Sequence, residues 1–407
     1  MSAELRRRVA FTLGALLVFR IGTYIPLPGI DSSVWSQLFG AHAGGVLGLF
    51  DVSTGGSVGR LAIFALGIIP YVSVAFLLQM VAIGSSKFDA LRLQGDHGRS
   101  KIITYTRALT IALAAFQAYG IAIGLEGVDH LVVDPGLLFR LTTVLTLTAG
   151  TLFLVWLSDQ ITARGIGNGI ALILAVGFVA GLPTAVAATL GAARQGSLSP
   201  SFMLLAAILA AAITALIVFM EGARRKIPVD YPKRKIGGRT VDGATGQMPV
   251  KLNNAGVIPT ILAGWCIFLP VAAISFALGP GQGWGHAILN QFHHGRPLFV
   301  LIYCALIVAF TLFYTAFLID PERASDTLKR HGGTVRGVEP GEPTASYIDY
   351  VLSRVTLVGA IYLAFVFILP EVLIVYFGVP FYLGGASLLV VVCAIMDIDT
   401  QVKQECT

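Results

Sequence analysis

Apolar residues in this chain gather in long, nearly unbroken runs divided by short polar stretches, without the strict alternation of a half-buried strand. Runs long enough to cross about 30 Å of hydrocarbon fall at about 9–27, 61–83, 104–124, 138–158, 168–190, 202–220, 255–278, 297–319, 353–376 and 380–396. The pattern predicts ten membrane-spanning helices, the last two divided at Gly378 and Pro380, which punctuate a helical pattern. An even number places both termini on one side. The first run follows Arg6, Arg7 and Arg8, as in a signal peptide, but ends at Pro26 and Pro28 without a small-residue cleavage site. It is expected to stay as the first span.

Two features fall outside this pattern. Gly44 to Ser57, GGVLGLFDVSTGGS, is mildly apolar and too short to span. It is either a re-entrant piece, whose backbone ends then need cover from protein, or an external loop. The segments at about 221–254 and 320–352 are polar, basic and glycine-rich, and far longer than a tight helical hairpin needs. Their charges suit either an anionic lipid surface or a docked partner.

Composition agrees with the spans. Of 407 residues 56% are hydrophobic and only 12% charged, half the share of an ordinary soluble protein, and the mean hydropathy is +0.80. Lipid is the solvent for most side chains, which excludes soluble enzymes and disulfide scaffolds. The net charge of +6 comes from segments between spans. Of 28 basic residues all but five, Arg20, Arg60, Arg140, Arg194 and Arg296, fall on the side of the termini, which is therefore assigned to the cytoplasm. Cys266, Cys304, Cys393 and Cys406 show no paired spacing, so neither a disulfide nor a metal site is expected.

A faint internal repeat crosses the two sets of five spans, 1–200 and 201–407. Gly67-Ile68-Ile69-Pro70 lies in the second span, and Gly256-Val257-Ile258-Pro259 near the start of the seventh. Gly167-Asn168-Gly169-Ile170 opens the fifth, and Gly384-Gly385-Ala386-Ser387 lies in the tenth. With five spans in each half, corresponding spans run oppositely, the arithmetic of an inverted repeat.

Catalytic constellations are missing: there is no Gly-x-Ser-x-Gly elbow, His-Glu-x-x-His helix or phosphate-binding Walker loop. Gly165-Ile166-Gly167-Asn168-Gly169 follows a span and not a buried strand, so its glycines point to close helix packing instead of a dinucleotide. His293 and His294 stand in an external loop without spaced partners. Arg20 alone is ionisable deep in a span, and either snorkels outward or pairs with a carboxylate such as Asp51. Ion-coupled transport needs more than that.

Several stretches together carry a resemblance: Phe19-Arg20-Ile21-Gly22, Ile25-Pro26-Leu27-Pro28-Gly29-Ile30-Asp31, Ile63 to Tyr71, Arg164 to Gly169, Asn254 to Pro259, and Val379 to Gly385. In order, spacing and topology the chain resembles the SecY family, the central subunits of bacterial protein-translocation channels. The resemblance implies an all-α membrane protein of two five-helix halves around an hourglass pore, with a plug and a lateral opening to lipid. Family positions for the pore ring fall on Ile68, Val72, Ile170, Leu174, Ile261 and Val390, and the plug on about 44–58, including Gly45, Val46, Leu47, Leu49, Phe50 and Val52. Gate positions fall on Ser73, Gln117 and Asn253, for each of which a bond to a neighbouring helix is the alternative reading. Contacts for a motor or ribosome fall on Arg234, Lys235, Arg239, Lys329, Arg330 and Arg336.

An aliphatic constriction suits such a channel, because it yields to diverse side chains, coordinates no ion and dewets. The expected function is passage of unfolded polypeptides bearing signal sequences across the bacterial plasma membrane, with lateral release of membrane proteins into lipid. The resemblance implies SecE and SecG as membrane subunits and the SecA ATPase or a ribosome, with its RNA, at the basic loops. No cofactor and no catalysis are expected. Two departures bear on the loops: Glu339 stands where the family usually has arginine, and Gly238 replaces one of a basic pair. A ten-span secondary transporter of small solutes is the rival reading.

Overall fold

The computed structural model describes residues 3–42, 51–84, 94, 96–195, 199–231, 234–236, 239–241, 245–278, 291–292, 296–377 and 385–406. Its elements are α1 (Ala3–Gly22), α2 (Ser32–His42), α3 (Ile69–Gly84), α4 (Asp96–Glu126), α5 (Leu137–Arg164), α6 (Gly169–Ala180), α7 (Leu182–Arg194) and α8 (Pro200–Gly222), then β1 (Arg224–Asp230), β2 (Arg234–Ile236), β3 (Arg239–Val241) and β4 (Thr245–Lys251), and finally α9 (Ile258–Leu278), α10 (Pro297–Leu318), α11 (Pro321–Arg330), β5 (Thr334–Val335), α12 (Glu342–Phe377) and α13 (Gly385–Cys406). Among the described residues four helical runs are long and apolar enough to cross a membrane, Ser100–Glu126, Leu137–Arg164, Pro297–Arg330 and Glu342–Pro370.

Two compact units divide the chain. One holds Met1–Gly191, Phe381–Leu383 and Val390–Thr407, the other Ala192–Pro380 and Gly384–Leu389. In the first, α1 and α6 pack on α5, and α3 and α4 do likewise. In the second, α10 packs between α9 and α12.

Two expected boundaries are corrected, and one segment gains structure of its own. The run 61–83 is helical only from Ile69. Residues 61–63 instead pair with residues 25–27: the Leu27 amide donates to the Leu61 carbonyl at 2.8 Å and the Ile63 amide to the Ile25 carbonyl at 2.9 Å. Leu61 and Ala62 are buried, so the stretch is apolar because protein covers it. The run 168–190 breaks into α6 and α7 at Gly181, where Pro183 has no amide proton to continue the ladder. The segment 320–352 is largely helical, since α11 and the first turns of α12 lie within it.

The segment 221–254 is also built, not loose. β1 pairs antiparallel with β4, Arg224 opposite Lys251 and Asp230 opposite Thr245, and β5 adds on the other side of β1. Alternation along β1 turns Ile227 and Val229 inward. They join Val250, Val335, Leu328, Ile348, Val351 and Leu352 in small apolar cores under the sheet.

Both units repeat three local devices. Gly67 and Gly256 take left-handed backbone, φ 60° and 62°, and a helix begins two residues later in each, with proline second. Only glycine adopts that geometry at little cost. Gly150 of α5 is pressed on the Ile63 carbonyl and Gly359 of α12 on the Leu252 carbonyl, each partner four residues before its left-handed glycine. Gly169 opens α6 against the Ser158 carbonyl of α5, and Gly385 opens α13 against the Val366 carbonyl of α12. The four-residue sequence matches thus mark shared backbone construction.

Candidate pore and docking surfaces

The six ring candidates share one placement: each lies at the opening of a helix. Ile68 precedes α3 and its carbonyl accepts the amides of Tyr71 and Val72 at 3.1 and 3.2 Å, so Ile68 and Val72 share the first turn. Ile170 and Leu174 follow the N-cap of α6, where the Asn168 side-chain oxygen accepts the amides of Ile170 and Ala171 at 3.0 and 3.3 Å. Ile261 is in the first turn of α9 and Val390 in the second turn of α13. Ile68 and Val390 are buried within the chain, and Val72, Ile170, Leu174 and Ile261 are half-buried. The glycines between α5 and α6 serve close packing, as their context after a span implied: Gly169 has no room for a side chain beside Ser158.

Of the plug candidates, Gly45, Val46, Leu47, Leu49 and Phe50 lie outside the described residues. Val52 is half-buried in a helical turn that runs into a tight loop. In that loop the Asp51 side chain accepts the Gly59 amide at 2.6 Å and its carbonyl accepts the Gly56 amide at 2.7 Å. The pairing of Arg20 with Asp51 is not formed. Arg20 donates instead to the Gly55 carbonyl and to the hydroxyls of Thr23 and Tyr24, while Arg60 holds the Gly56 carbonyl at 3.0 Å. Both guanidiniums flank the Tyr24 ring, at 5.0 and 4.2 Å from its centroid. Carbonyl oxygens of the glycine loop accept from both guanidiniums, and Asp51 interacts with Arg60 through charge alone, a use of backbone that residue type alone does not reveal.

The gate candidates are engaged locally. The Ser73 hydroxyl donates to the Ile69 carbonyl one turn back at 3.0 Å. Gln117 is half-buried on α4. Asn253 is buried: its amide group donates to the Glu221 carboxylate at 2.7 Å and to the Gly256 carbonyl at 3.2 Å, and its side-chain oxygen accepts the Gly256 amide at 2.9 Å. Asn253 therefore ties the end of α8 to the turn that opens α9, and Glu221 is a partner the sequence reading missed.

On the loops, Lys329 and Arg330 are exposed in the last turn of α11. Arg234, Lys235 and Arg239 stand on the short β2–β3 hairpin, with Ile236 opposite Arg239. Arg336 is committed elsewhere: its guanidinium donates twice to Asp230, both at 3.0 Å, beside the pairing of β1 with β5. The hydrogen bonds from Arg336 hold the Asp230 carboxyl below the usual carboxylate range. Glu339 is exposed, and its carbonyl accepts the Thr344 hydroxyl at 2.7 Å. Gly238, His293 and His294 lie outside the described residues. Among the described residues no cluster of metal-ligating side chains occurs.

Against known proteins, the SecY family model matches residues 62–398. Protein translocase subunit SecY of Escherichia coli (strain K12) is 45% identical over 404 residues, covering 98% of this chain and 91% of that one. SecY of Rickettsia conorii is 39% identical, covering 98% and 93%. A solved protein conducting channel superimposes with TM-score 0.68 at 18% identity, covering all of this chain and 94% of that one. Sec61 in a canine ribosome-channel complex from the endoplasmic reticulum gives TM-score 0.67 at 18% identity, with the same coverage.

Proposed function

The chain belongs to the SecY family, and from that premise we propose how its parts divide the work of a protein-conducting channel subunit. It is a membrane channel component and not an enzyme, so the rival reading as a solute transporter is dropped. The observation that carries the proposal is the placement of six aliphatic side chains at the openings of four helices, α3, α6, α9 and α13. An aliphatic ring of this kind dewets when closed and yields to an unfolded chain when open. The loop around Asp51 to Gly59 is the base of the plug, braced by Arg20 and Arg60. Ser73, Gln117 and Asn253 line the lateral gate, where Asn253 acts through its hold on the α8–α9 connection.

The protein works in the bacterial plasma membrane with both termini in the cytoplasm, the side that carries most of its lysine and arginine. Energy comes from outside, through the SecA ATPase or a translating ribosome, with SecE bracing the halves and SecG peripheral. Arg234, Lys235, Arg239, Lys329 and Arg330 meet those partners electrostatically. Arg336 contributes by fixing β5 to β1 through Asp230, and Glu339 is a departure that nothing in the fold explains.

The test is the resting leak of the reconstituted channel. Ile68→Gly and Ile170→Gly should each raise closed-state ion conductance by admitting water between aliphatic groups. Variants as silent as the parent would remove these residues from the ring.

A further inference from the structure

The loop from Gly165 to Gly169 is held by side chains from three helices. The Ile166 amide donates to the Thr12 hydroxyl of α1 at 3.0 Å, the Gly167 amide to the Gln401 side-chain oxygen of α13 at 2.8 Å, and the Gly169 amide to the Thr162 hydroxyl of α5 at 2.9 Å. Both threonine hydroxyls donate onward, to the carbonyls of Arg8 at 3.0 Å and Ser158 at 2.9 Å, which aims their lone pairs at the loop. Gly167 is left-handed, φ 85°, with Leu172 and Ile398 at 3.1 and 3.2 Å from where a Cβ would stand. The next turn, capped by Asn168, carries Ile170 and Leu174. The start of α6 thus follows from where these three acceptors sit.

Gln401 differs from the two threonines. Thr12 and Thr162 lie on α1 and α5, which pack against α6 in any case. Gln401 is 234 residues from Gly167 in sequence and occupies the same stripe of α13 as Val390, Ala394 and Ile398, at helical spacing. Val390 and Ala394 on that stripe are buried. One rigid helix therefore bears a ring candidate near one end and the acceptor for the α5–α6 loop about 16 Å along its axis, at 1.5 Å per residue.

We propose that Gln401 is a positioning residue that couples α13 to α6, so that Val390 and the pair Ile170 and Leu174 hold one relative placement in the closed pore. This rests on the ring assignment made above. Its side-chain oxygen is the acting group: Gly167 is a buried residue while Gln401 is exposed, their hydrogen bond is part-buried, and losing the acceptor costs the loop that bond.

The experiment uses the full chain purified in its native membrane complex and reconstituted, with Gln401→Met, which keeps shape but loses the acceptor, and Gln401→Glu, which keeps an acceptor. Gln401→Met should speed amide hydrogen exchange across 165–170 and raise resting conductance by about threefold to tenfold, the scale of one lost hydrogen bond. Gln401→Glu should match the parent in both, and the melting temperature of Gln401→Met should stay within a few degrees of it. Ile170→Gly is the control for the ring. If Ile170→Gly leaks while Gln401→Met is silent, if exchange across 165–170 does not change, or if the Glu variant behaves like the Met variant, the positioning role is overturned. If Ile170→Gly itself is silent, the ring assignment fails, and the hold of Gln401 on the loop stands or falls on the exchange measurement.

Discussion

Adding one methyl group at Gly169 should separate α6 from α5 and damage the closed channel, whereas the same change at Gly124 should do no harm. A Cβ at Gly169 falls well inside 3.0 Å of the Ser158 carbonyl, while ordinary contact begins at 3.4 Å, so the helices must part by more than the 0.4 Å between those limits. The obstacle is backbone, which cannot rotate away as a flexible side chain can. Overpacking of this kind costs about 1–3 kcal/mol. At Gly124 and Gly120 of α4 nothing stands within 4 Å of the added Cβ, and alanine there gains about 0.5–1 kcal/mol of helix stability. The two sites should therefore differ by about 1.5–4 kcal/mol. Gly385→Ala, against the Val366 carbonyl, should behave as Gly169→Ala does. Thermal unfolding of the purified complex reads the stability and closed-state conductance reads the pore. Equal melting temperatures for Gly169→Ala and Gly124→Ala would refute the close-approach argument.

Two further outcomes follow from buried and bridging polar groups. Asn253→Leu removes the amide donors from Glu221 and should destabilise the second unit by about 1.5–3 kcal/mol, the scale for a hydrogen bond to a charged group; a melting temperature equal to the parent's would contradict the geometry. Asp230 has its folded pKa lowered by Arg336, so the stability from this pair is complete above the unfolded carboxylate value of about 3.9 and is lost as pH falls through the lower folded value. Protection against hydrogen exchange in β1 and β5, taken relative to the intrinsic amide rate at each pH, should then be flat from neutral pH down to about 4.5 and fall below about 3.9, and Asp230→Asn should abolish that acid limb; an unchanged acid limb in the variant would assign it to other groups.

Much of the fold was legible because lipid imposes a coarse code. A helix that crosses a bilayer satisfies its own backbone and must be apolar over a fixed length, so the runs beginning near 104, 138, 297 and 353 were visible as spans. The glycine-proline signals were equally readable, since left-handed backbone at Gly67 and Gly256 leaves few residue choices. The same code misled at 61–68, where hydropathy does not distinguish a segment covered by protein from one covered by lipid. The cytoplasmic segments were harder. Their strand signal, Ile227 and Val229 alternating with polar neighbours, is short, and the sheet closes only when β5 arrives from more than a hundred residues away.

By itself the sequence determined the membrane class, the positions of most apolar helices, the family and the aliphatic character of the ring candidates, because each depends on composition or on motifs within a few neighbouring residues. Tertiary structure decided which polar groups meet. Arg20 went to the Gly55 carbonyl and not to Asp51, Arg336 was taken by Asp230, Asn253 by Glu221, and Gln401 reached back to Gly167. A hydrogen bond needs two groups about 3 Å apart in a defined direction, and for groups far apart in sequence that distance is set by the packing of whole helices, which no local pattern encodes.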